Sequence, residues 1–250
     1  MGKSIKKGAY EFICGTSRNP TAFHPEWYTR KRHRQAIQKV ARTYISGKTI
    51  DIGSGDRYYE KLLKGTFTSY VALDKVEYWG SDNTNPPPDI SGDAENIPVA
   101  AEQFDSALLI EVLEHCLEYE KILVEANRVL KKEGHILITV PFLIWVHGSP
   151  FDYFRYTKNA LPIILERAGF SVVELHNTCG AGGVVAAILN TVTDTTFGFS
   201  KARKFFHIYF LGFILPFFWL AMNVFAVVFD RLFPNPNYTF GYVIVAKKKS

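Results

Sequence analysis

A short glycine-containing segment offers the first chemistry in this chain. Asp51-Ile-Gly53-Ser-Gly55 ends the β-like run Lys48–Ile52 and precedes a helical stretch that begins at Tyr58. Glycines let backbone N–H groups approach a ligand closely, and the N-terminus of a following helix attracts an anionic group. A tight strand–helix turn that holds no ligand would have the same sequence. The loop alone therefore leaves both interpretations open.

Asp74 favours the ligand interpretation. It ends the predicted strand Ser69–Asp74 and lies 21 residues after Gly53. A carboxylate at that place can accept hydrogen bonds from both hydroxyls of a ribose. A dinucleotide site would need a third glycine three residues after the second, but Tyr58 occupies that position. The sequence therefore predicts a ribose-containing ligand and disfavours a nicotinamide or flavin dinucleotide.

The elements that must position these residues alternate between strand and helix. Three further strands are predicted, at Phe104–Ile110, His135–Val140 and Ser171–Leu175. Three longer helices are predicted, at residues 24–45, 118–132 and 157–168, with Gly134 ending the second of them. This alternation is typical of an α/β fold with a doubly wound sheet, which binds ligands at the carboxyl ends of its strands.

Several motifs follow one another over about residues 45–176. They are Asp51-x-Gly53-x-Gly55, Val71-Ala-Leu-Asp74, Gly92-Asp-Ala-Glu-Asn-Ile-Pro98, Phe104-Asp105, Glu111-Val-Leu-Glu-His115 and Asn127-Arg-Val-Leu-Lys-Lys-Glu-Gly134. The series resembles the class I S-adenosylmethionine (SAM)-dependent methyltransferases of the type 11 group, which are related to enzymes of the ubiquinone pathway. The resemblance implies a Rossmann-like fold and SAM as the cofactor.

The resemblance also implies roles for single residues. Gly53 and Gly55, in the loop that begins at Asp51, would line the methionine half of SAM, and Asp74 would hold its ribose. Asp93, with the backbone of Ala94, would contact the adenine amino group. Glu111 would close the floor of the pocket.

One departure from the family's pattern is Arg57. The family often has a third glycine two residues after Gly55, where this chain has Arg57. Its side chain could crowd the methionine carboxylate or bind it as a charge partner, and we favour the second interpretation. Glu114 and His115 follow Glu111, and a capping or packing role is as plausible for them as a catalytic one.

A polar and aromatic cluster follows Val140-Pro141 and predicts the acceptor side of the site. In this segment His147 could take a proton from a hydroxyl acceptor, and Asp152 could orient its ring. Arg155 could hold an anionic group of the acceptor. The remaining candidates for the acceptor pocket are Trp145, Tyr153 and Tyr156. The alternative is a structural network in which Asp152 pairs with Arg155 and His147 is a loop residue.

The composition excludes several classes of protein. Hydrophobic residues make up 47% of the 250 and charged residues 21%, so the chain is not disordered. Its three cysteines are far apart, and neither a disulfide framework nor a metal site is predicted. The net charge of +5 favours anionic partners, but the central domain has no dense Lys/Arg run interleaved with aromatics, which argues against nucleic acid.

An apolar run near the end of the chain predicts contact with a membrane. Residues 205–229 contain no Asp, Glu, Lys or Arg and include many aromatics. The length suits a bilayer, but Tyr238–Ala246 reads as a last strand of the same sheet. Both ends of the insert would then lie on one side of the membrane. The sequence predicts monotopic or re-entrant attachment, with a hydrophobic hairpin involving Val184–Thr193 or a soluble dimer or lid surface as alternatives.

These observations predict four segments. Residues 1–45 would be an irregular segment with a basic helix, 46–176 the SAM-binding core, 177–236 an apolar helical insert, and 237–250 the final strand with a basic tail. The predicted function is O-methylation of a glycan, a lipid-linked saccharide or another lipid at the cytoplasmic membrane face. The alternatives are a small-molecule acceptor and a non-catalytic, membrane-associated assembly partner that either binds SAM or has no ligand. A homo-oligomer is also compatible with the sequence.

Overall fold

The computed structural model describes residues 12–16, 18–75, 86–197 and 207–249. The chain divides into two compact units. We call the first the core unit, formed by Gln35–His176 with Gly241–Ser250, and the second the hairpin unit, formed by Met1–Arg34 with Asn177–Phe240. Most of the predicted irregular segment at residues 1–23 lies outside the described residues, as do residues 205 and 206 of the apolar run.

A seven-stranded sheet organises the core unit. Its order is β3-β2-β1-β4-β5-β7-β6. The first five of these strands pair in parallel, whereas β7 pairs antiparallel with β5. The strands are β1 Lys48–Ile52, β2 Ser69–Asp74, β3 Ile90–Ser91, β4 Phe104–Ile110, β5 Leu130–Pro141, β6 Phe170–Asn177 and β7 Gly241–Lys248. The predicted doubly wound, Rossmann-like α/β fold is confirmed, including a helical insert before the last strand.

Apolar side chains cover both faces of the sheet. Along β4, Ala107 and Leu109 face one buried cluster, and Leu108 and Ile110 face the other. A strand buried on both sides has no polar face, which explains the apolar run Ala107–Ile110. The helices are α1 Trp27–Tyr44, α2 Tyr58–Leu62, α3 Tyr119–Val129, α4 Ala160–Arg167, α5 Ala181–Phe197 and α6 His207–Leu232.

The helix predicted to reach residue 132 ends earlier than its sequence indicates. Helix α3 ends at Val129, and Leu130 already has an extended backbone and pairs with Phe104 of β4. Gly134 therefore does not cap the helix. A Cβ on Gly134 would lie 3.1 Å from the carbonyl oxygen of Asp105, so glycine allows the close approach of two backbones.

Two helices, α5 and α6, pack against each other in the hairpin unit. The Asp230 carboxylate accepts N–H groups from Gly180 at 2.8 Å and Gly182 at 2.7 Å, and also the hydroxyl of Tyr28 at 2.9 Å. A carboxylate at the start of α5 satisfies backbone groups that have no partner within the helix. The segment Ile214–Leu232 of α6 is long and apolar enough to cross a membrane, and 28% of it is buried.

Candidate functional site

The register of the sheet brings the predicted cofactor residues to one edge. Asp51 pairs with Ala72 and Ile52 with Leu73, so the loop after β1 begins beside the end of β2. Asp74 in turn pairs with Ser91, which places the segment containing Asp93 next to it. Because parallel strands end at the same edge, these loops meet where such folds bind their ligands.

The loop after β1 exposes backbone in the way a bound cofactor requires. Gly53 and Gly55 have φ angles of +75° and +50°, a region that side chains disfavour. A Cβ on Gly53 would lie 2.6 Å from a methyl carbon of Val112, whereas one on Gly55 would meet nothing within 4 Å. Gly55 donates its N–H to Asp74 at 2.7 Å. The Ser54 hydroxyl is buried without a hydrogen-bond partner among the described residues, so the loop holds a polar atom that a ligand could satisfy.

Asp51 lies beneath this loop rather than in it. Its side chain is buried and accepts a short hydrogen bond from the hydroxyl of Tyr70. Burial raises the pKa of Asp51 to about 7, and the bond from Tyr70 works against this rise. Asp51 is therefore placed to support the loop through a buried polar contact.

Arg57 points toward two carboxylates. Its guanidinium donates to Glu60 at 2.9 Å and to Asp89 at 3.1 Å. The residue itself adopts a left-handed conformation, with φ of 58°, at the start of α2. Binding of the methionine carboxylate by Arg57 stays a prediction, and it would have to compete with these two ion pairs.

Asp93 and Ala94 begin the turn after β3. Asp93 forms an ion pair with Lys75 at 2.7 Å and accepts the N–H of Glu95 at 3.0 Å. Burial acts to raise the pKa of Asp93, but Lys75 and this N–H group outweigh it and lower the pKa. Ala94 is half-buried and packs against the core of the sheet. The turn is thus well ordered, and its contact with adenine stays a prediction.

Glu111 is the first residue after β4 and has a φ of 55°. Its N–H donates to the hydroxyl oxygen of Thr139 at 3.1 Å, and one of its carboxylate oxygens accepts that hydroxyl at 2.8 Å. This reciprocal contact fixes Glu111 between the ends of β4 and β5. A floor position in the pocket is compatible with this place at the edge of the sheet.

Glu114, His115 and His147 form a compact cluster beside Glu111. The carboxylate of Glu114 is fully buried, and its Oε1 lies 3.6 Å from Nε2 of His115 and 3.8 Å from Nε2 of His147. Burial raises the pKa of Glu114 above its ordinary value. The Glu114 carboxylate in turn raises the pKa of His147, against burial, which lowers it. Both distances exceed a hydrogen bond, so this interaction is electrostatic.

Asp152 and Arg155 form a second network beside His147. Arg155 donates to both oxygens of Asp152, at 2.6 and 2.7 Å, and to the carbonyl oxygen of Trp145 at 3.1 Å. Asp152 also accepts the backbone N–H of His147 at 2.8 Å and lies 3.5 Å from its Nδ1. Hydrogen bonds from Arg155 hold the pKa of Asp152 well below its usual range. The structure thus contains the predicted Asp152–Arg155 pair and also places Asp152 beside the His147 ring.

Two tyrosines of the predicted acceptor pocket differ in their environment. Tyr153 is 39% exposed, whereas Tyr156 is buried and donates its hydroxyl to the carbonyl oxygen of Leu113 at 3.0 Å. This contact ties the loop after β5 to the turn that carries Glu114. The hydroxyl of Tyr156 is thus used for positioning, and contact of either tyrosine with an acceptor stays a prediction.

Comparison with known proteins decides the family of this site. Residues 50–138, which run from within β1 to within β5, match the family model described as a methyltransferase domain. The chain carries a SAM-dependent methyltransferase domain. Its cofactor is SAM, and the exposed backbone of Gly55 beside the Asp74 carboxylate fits that group.

Relatives of the methyltransferase domain are distant. The chain is 27% identical, over 161 residues, to an uncharacterized protein of Methanocaldococcus jannaschii; the match covers 62% of each chain. The chain therefore spans less than two thirds of that relative's length.

Solved structures share the fold of the chain. A SAM-dependent methyltransferase from Archaeoglobus fulgidus is similar with a TM-score of 0.53 and 15% identity, covering 97% of this chain and 99% of that one. The [4+2]-cyclase SpnF has a TM-score of 0.54 and 16% identity, covering 86% and 80%. A Burkholderia thailandensis 1,6-didemethyltoxoflavin-N1-methyltransferase, solved with S-adenosylhomocysteine, has a TM-score of 0.50 and 16% identity, covering 90% and 80%.

The cluster of Glu114, His115 and His147 could not be predicted from the sequence. A capping or packing role was as plausible for Glu114 and His115 as a catalytic one, and no sequence pattern connects them with His147. The signal was present, because a carboxylate and an imidazole follow a fully buried strand in Val112-Leu-Glu-His115. What the sequence could not supply was the burial of Glu114, which depends on the return of the loop after β5.

Proposed function

We propose that the whole chain transfers the methyl group of SAM to an oxygen of a glycan, a lipid-linked saccharide or another lipid at the cytoplasmic face of a membrane. The methyl-transfer part is carried by one observation: the Gly53–Gly55 backbone lies beside the Asp74 carboxylate in a methyltransferase domain. SAM supplies a methyl group bound to a positively charged sulfur. The chain has to bind it, align the acceptor and remove the acceptor's proton.

The oxygen-directed part of the proposal rests on His147. A hydroxyl acceptor loses a proton when it is methylated, and His147 follows β5 at the sheet edge where the cofactor loops end. Its ring is partly exposed and lies 3.5 Å from the Asp152 carboxylate. Replacing His147 with Ala should lower turnover roughly 10²–10⁴-fold and leave SAM affinity unchanged. A loss smaller than about tenfold would return His147 to a structural role.

The membrane part rests on exposed apolar side chains of α5 and α6. Their exposure ranges from 40% to 63% and includes Val185, Ile188, Leu189, Val192, Ile214, Phe217, Val224, Phe225, Val227, Val228 and Leu232. Exposed apolar side chains in this number mark a surface that contacts lipid or protein. Trp219 does not belong to it, because its side chain is buried and donates to Thr193 at 3.0 Å.

The topology supports a hairpin and not a single span. Strand β6 precedes α5, β7 follows α6, and the two strands are neighbours in one sheet. Both ends of the hairpin must then be on the same side of a bilayer. Attachment would be monotopic or re-entrant, which agrees with the mutual packing of α5 and α6.

Flotation with vesicles of phosphatidylglycerol and phosphatidylethanolamine tests the attachment. Phe217, Val224 and Val228 recur at spacings of seven and four residues and therefore lie along one stripe of α6. At about 1.5 kcal/mol or more for each buried side chain, serine at all three positions should weaken partitioning about a thousandfold. The matched control places serine at three exposed apolar positions of the core unit, Val124, Ile163 and Val173. Equal flotation of both triple variants would contradict the proposal, and a soluble wild-type dimer would favour the oligomer interpretation.

Mass spectrometry tests the acceptor. Membrane glycans and lipids from cells with and without the protein should differ by a methyl mass. No difference in membrane material, together with methylation of a soluble compound, would favour a small-molecule acceptor; a structural neighbour is solved with bound 1,6-didemethyltoxoflavin. No methylation at all, with intact SAM binding, would favour the non-catalytic assembly partner.

A further inference from the structure

The cluster of Glu114, His115 and His147 has the composition of a metal site. One carboxylate oxygen and two imidazole nitrogens all lie within 4.8 Å of one another. Two histidines and a carboxylate are a common ligand set for divalent transition metals. The three residues come from the turn after β4 and the loop after β5, at the edge where the cofactor loops end.

The buried carboxylate provides independent evidence for a cation. Both side-chain oxygens of Glu114 are buried without a hydrogen-bond partner among the described residues. A buried carboxylate is costly unless hydrogen bonds or an opposite charge compensate it. The Nε2 atoms of the two histidines lie 3.6 and 3.8 Å from its Oε1, which is too far for hydrogen bonds.

The hydrogen bonds of the two rings leave Nε2 available as a ligand atom. Nδ1 of His115 lies 2.6 Å from the carbonyl oxygen of Phe151, and Nδ1 of His147 lies 3.3 Å from that of Trp145. A carbonyl oxygen can only accept a hydrogen bond, so Nδ1 of His115 carries a proton. Nδ1 of His147 also lies 3.4 Å from the Arg155 guanidinium, and its Nε2 is available in the tautomer that donates from Nδ1 to Trp145. In the neutral rings Nε2 then has a free lone pair directed toward Glu114. Metal-ligating histidines commonly have this second contact, which fixes ring orientation.

We propose that Glu114, His115 and His147 bind a divalent first-row transition-metal ion through Oε1 and the two Nε2 atoms. Bonds of about 2.0–2.2 Å would separate the ligand atoms by roughly 3.0–3.4 Å. The two distances from Oε1, 3.6 and 3.8 Å, therefore need to shorten by about 0.2–0.8 Å, and all three ligand atoms already lie within 4.8 Å of one another. Both histidine side chains are about 30% exposed, which gives the ion a path and leaves coordination positions open.

A role of this ion in methyl transfer rests on the proposed function, whereas the binding of the ion does not. An acceptor hydroxyl in an open coordination position would lose its proton more readily, because a bound cation lowers the pKa of the oxygen it holds. With the ion present, His147 is a ligand, and the acceptor's proton passes to solvent, which reaches the site because both histidine side chains are about 30% exposed. A chelator should then reduce methyl transfer. If His147 acted as the base without a metal ion, a chelator would have no effect.

Titration with Co²⁺, monitored by visible absorption and calorimetry, tests the binding directly. Tag-free, full-length protein without SAM or acceptor should bind one Co²⁺ with an absorption band in the visible region, and Zn²⁺ should displace it. Glu114→Gln and His147→Ala should each weaken binding at least about tenfold. His176→Ala is the matched control, because His176 pairs with Glu174 at 2.6 Å on β6, away from the cluster.

The outcomes separate this inference from the proposed function. Loss of Co²⁺ binding in His147→Ala, with SAM binding retained, supports the metal site and shows that the variant is folded. Wild-type protein that binds no ion, or equal affinity in wild type and His147→Ala, overturns the site, leaving a protonated histidine as the partner of Glu114. Stoichiometric binding without any methyl transfer would keep the site and contradict the proposed function.

Discussion

Replacing Asp51 with Asn should remove a pH dependence from the free energy of unfolding. The side chain of Asp51 is 1% exposed, and burial raises its pKa from 3.8 to about 7. Between these values the folded chain holds a proton that the unfolded chain has released. Stability from this group is therefore complete below pH 3.8 and is lost as the pH rises through about 7.

The size of this effect follows from the change in pKa. A rise from 3.8 to about 7 corresponds to about 4 kcal/mol, or about 1.4 kcal/mol for each pH unit inside the window. The side-chain amide introduced by Asp51→Asn can still accept the hydroxyl of Tyr70. Any other lost contact changes the difference in free energy of unfolding by the same amount at every pH. Between about pH 5 and 7, the variant should gain about 3 kcal/mol relative to the wild type.

Urea unfolding followed by circular dichroism measures this difference at about pH 5, 6, 7 and 8. Asp105→Asn is the control, because a hydrogen bond from Lys131 lowers the pKa of Asp105. Asp105 is thus ionised in both states over this range, and its difference from the wild type should stay flat. A flat difference for Asp51→Asn as well, or one of opposite sign, would refute the assignment of a raised pKa to Asp51.

Three other substitutions test separate parts of the structure. Asp74→Ala should weaken SAM binding by about 1–3 kcal/mol in calorimetry, because the carboxylate would lose its bonds to the ribose; unchanged affinity in a folded variant would reject that role. Gly53→Ala should lower the free energy of unfolding, because its Cβ would lie 2.6 Å from Val112 at a positive φ. Adding Val112→Ala should remove the steric clash but leave about 1–2 kcal/mol of backbone strain. Asp230→Ala should destabilise the hairpin unit by about 3 kcal/mol, measured by hydrogen exchange of the first amides of α5, and unaltered exchange there would contradict its capping role.

Much of the fold could be predicted from local sequence because its strands have simple patterns. Strands β2 and β4 begin and end where the sequence predicts them, and β4 ends in four consecutive apolar residues, Ala107–Ile110. The end of α3 was predicted wrongly, because helical periodicity continues beyond Val129. Its true end depends on pairing of Leu130 with Phe104, a contact between residues far apart in the chain.

The cofactor residues and the buried Glu114 differ in how far the sequence predicts their positions. The common position of Asp51, Gly53, Gly55 and Asp74 at one sheet edge was predictable, because each lies near the end of one of two adjacent parallel strands or in the loop that follows. Burial of Glu114 was not, since it requires a loop more than 30 residues later to return over it. Trp219 shows the same limit, because sequence alone groups it with the exposed aromatics of α6, although it is buried.

Transfer of a labelled methyl group from SAM tests the central claim most directly. Wild-type protein is incubated with SAM carrying a radioactive methyl group and with total membranes, and the lipid and glycan fractions are counted. We expect label in one of these fractions with the wild type, and loss of most of it with Asp74→Ala at a SAM concentration below saturation. SAM binding without label in membrane or soluble material would contradict the proposed methyltransferase activity.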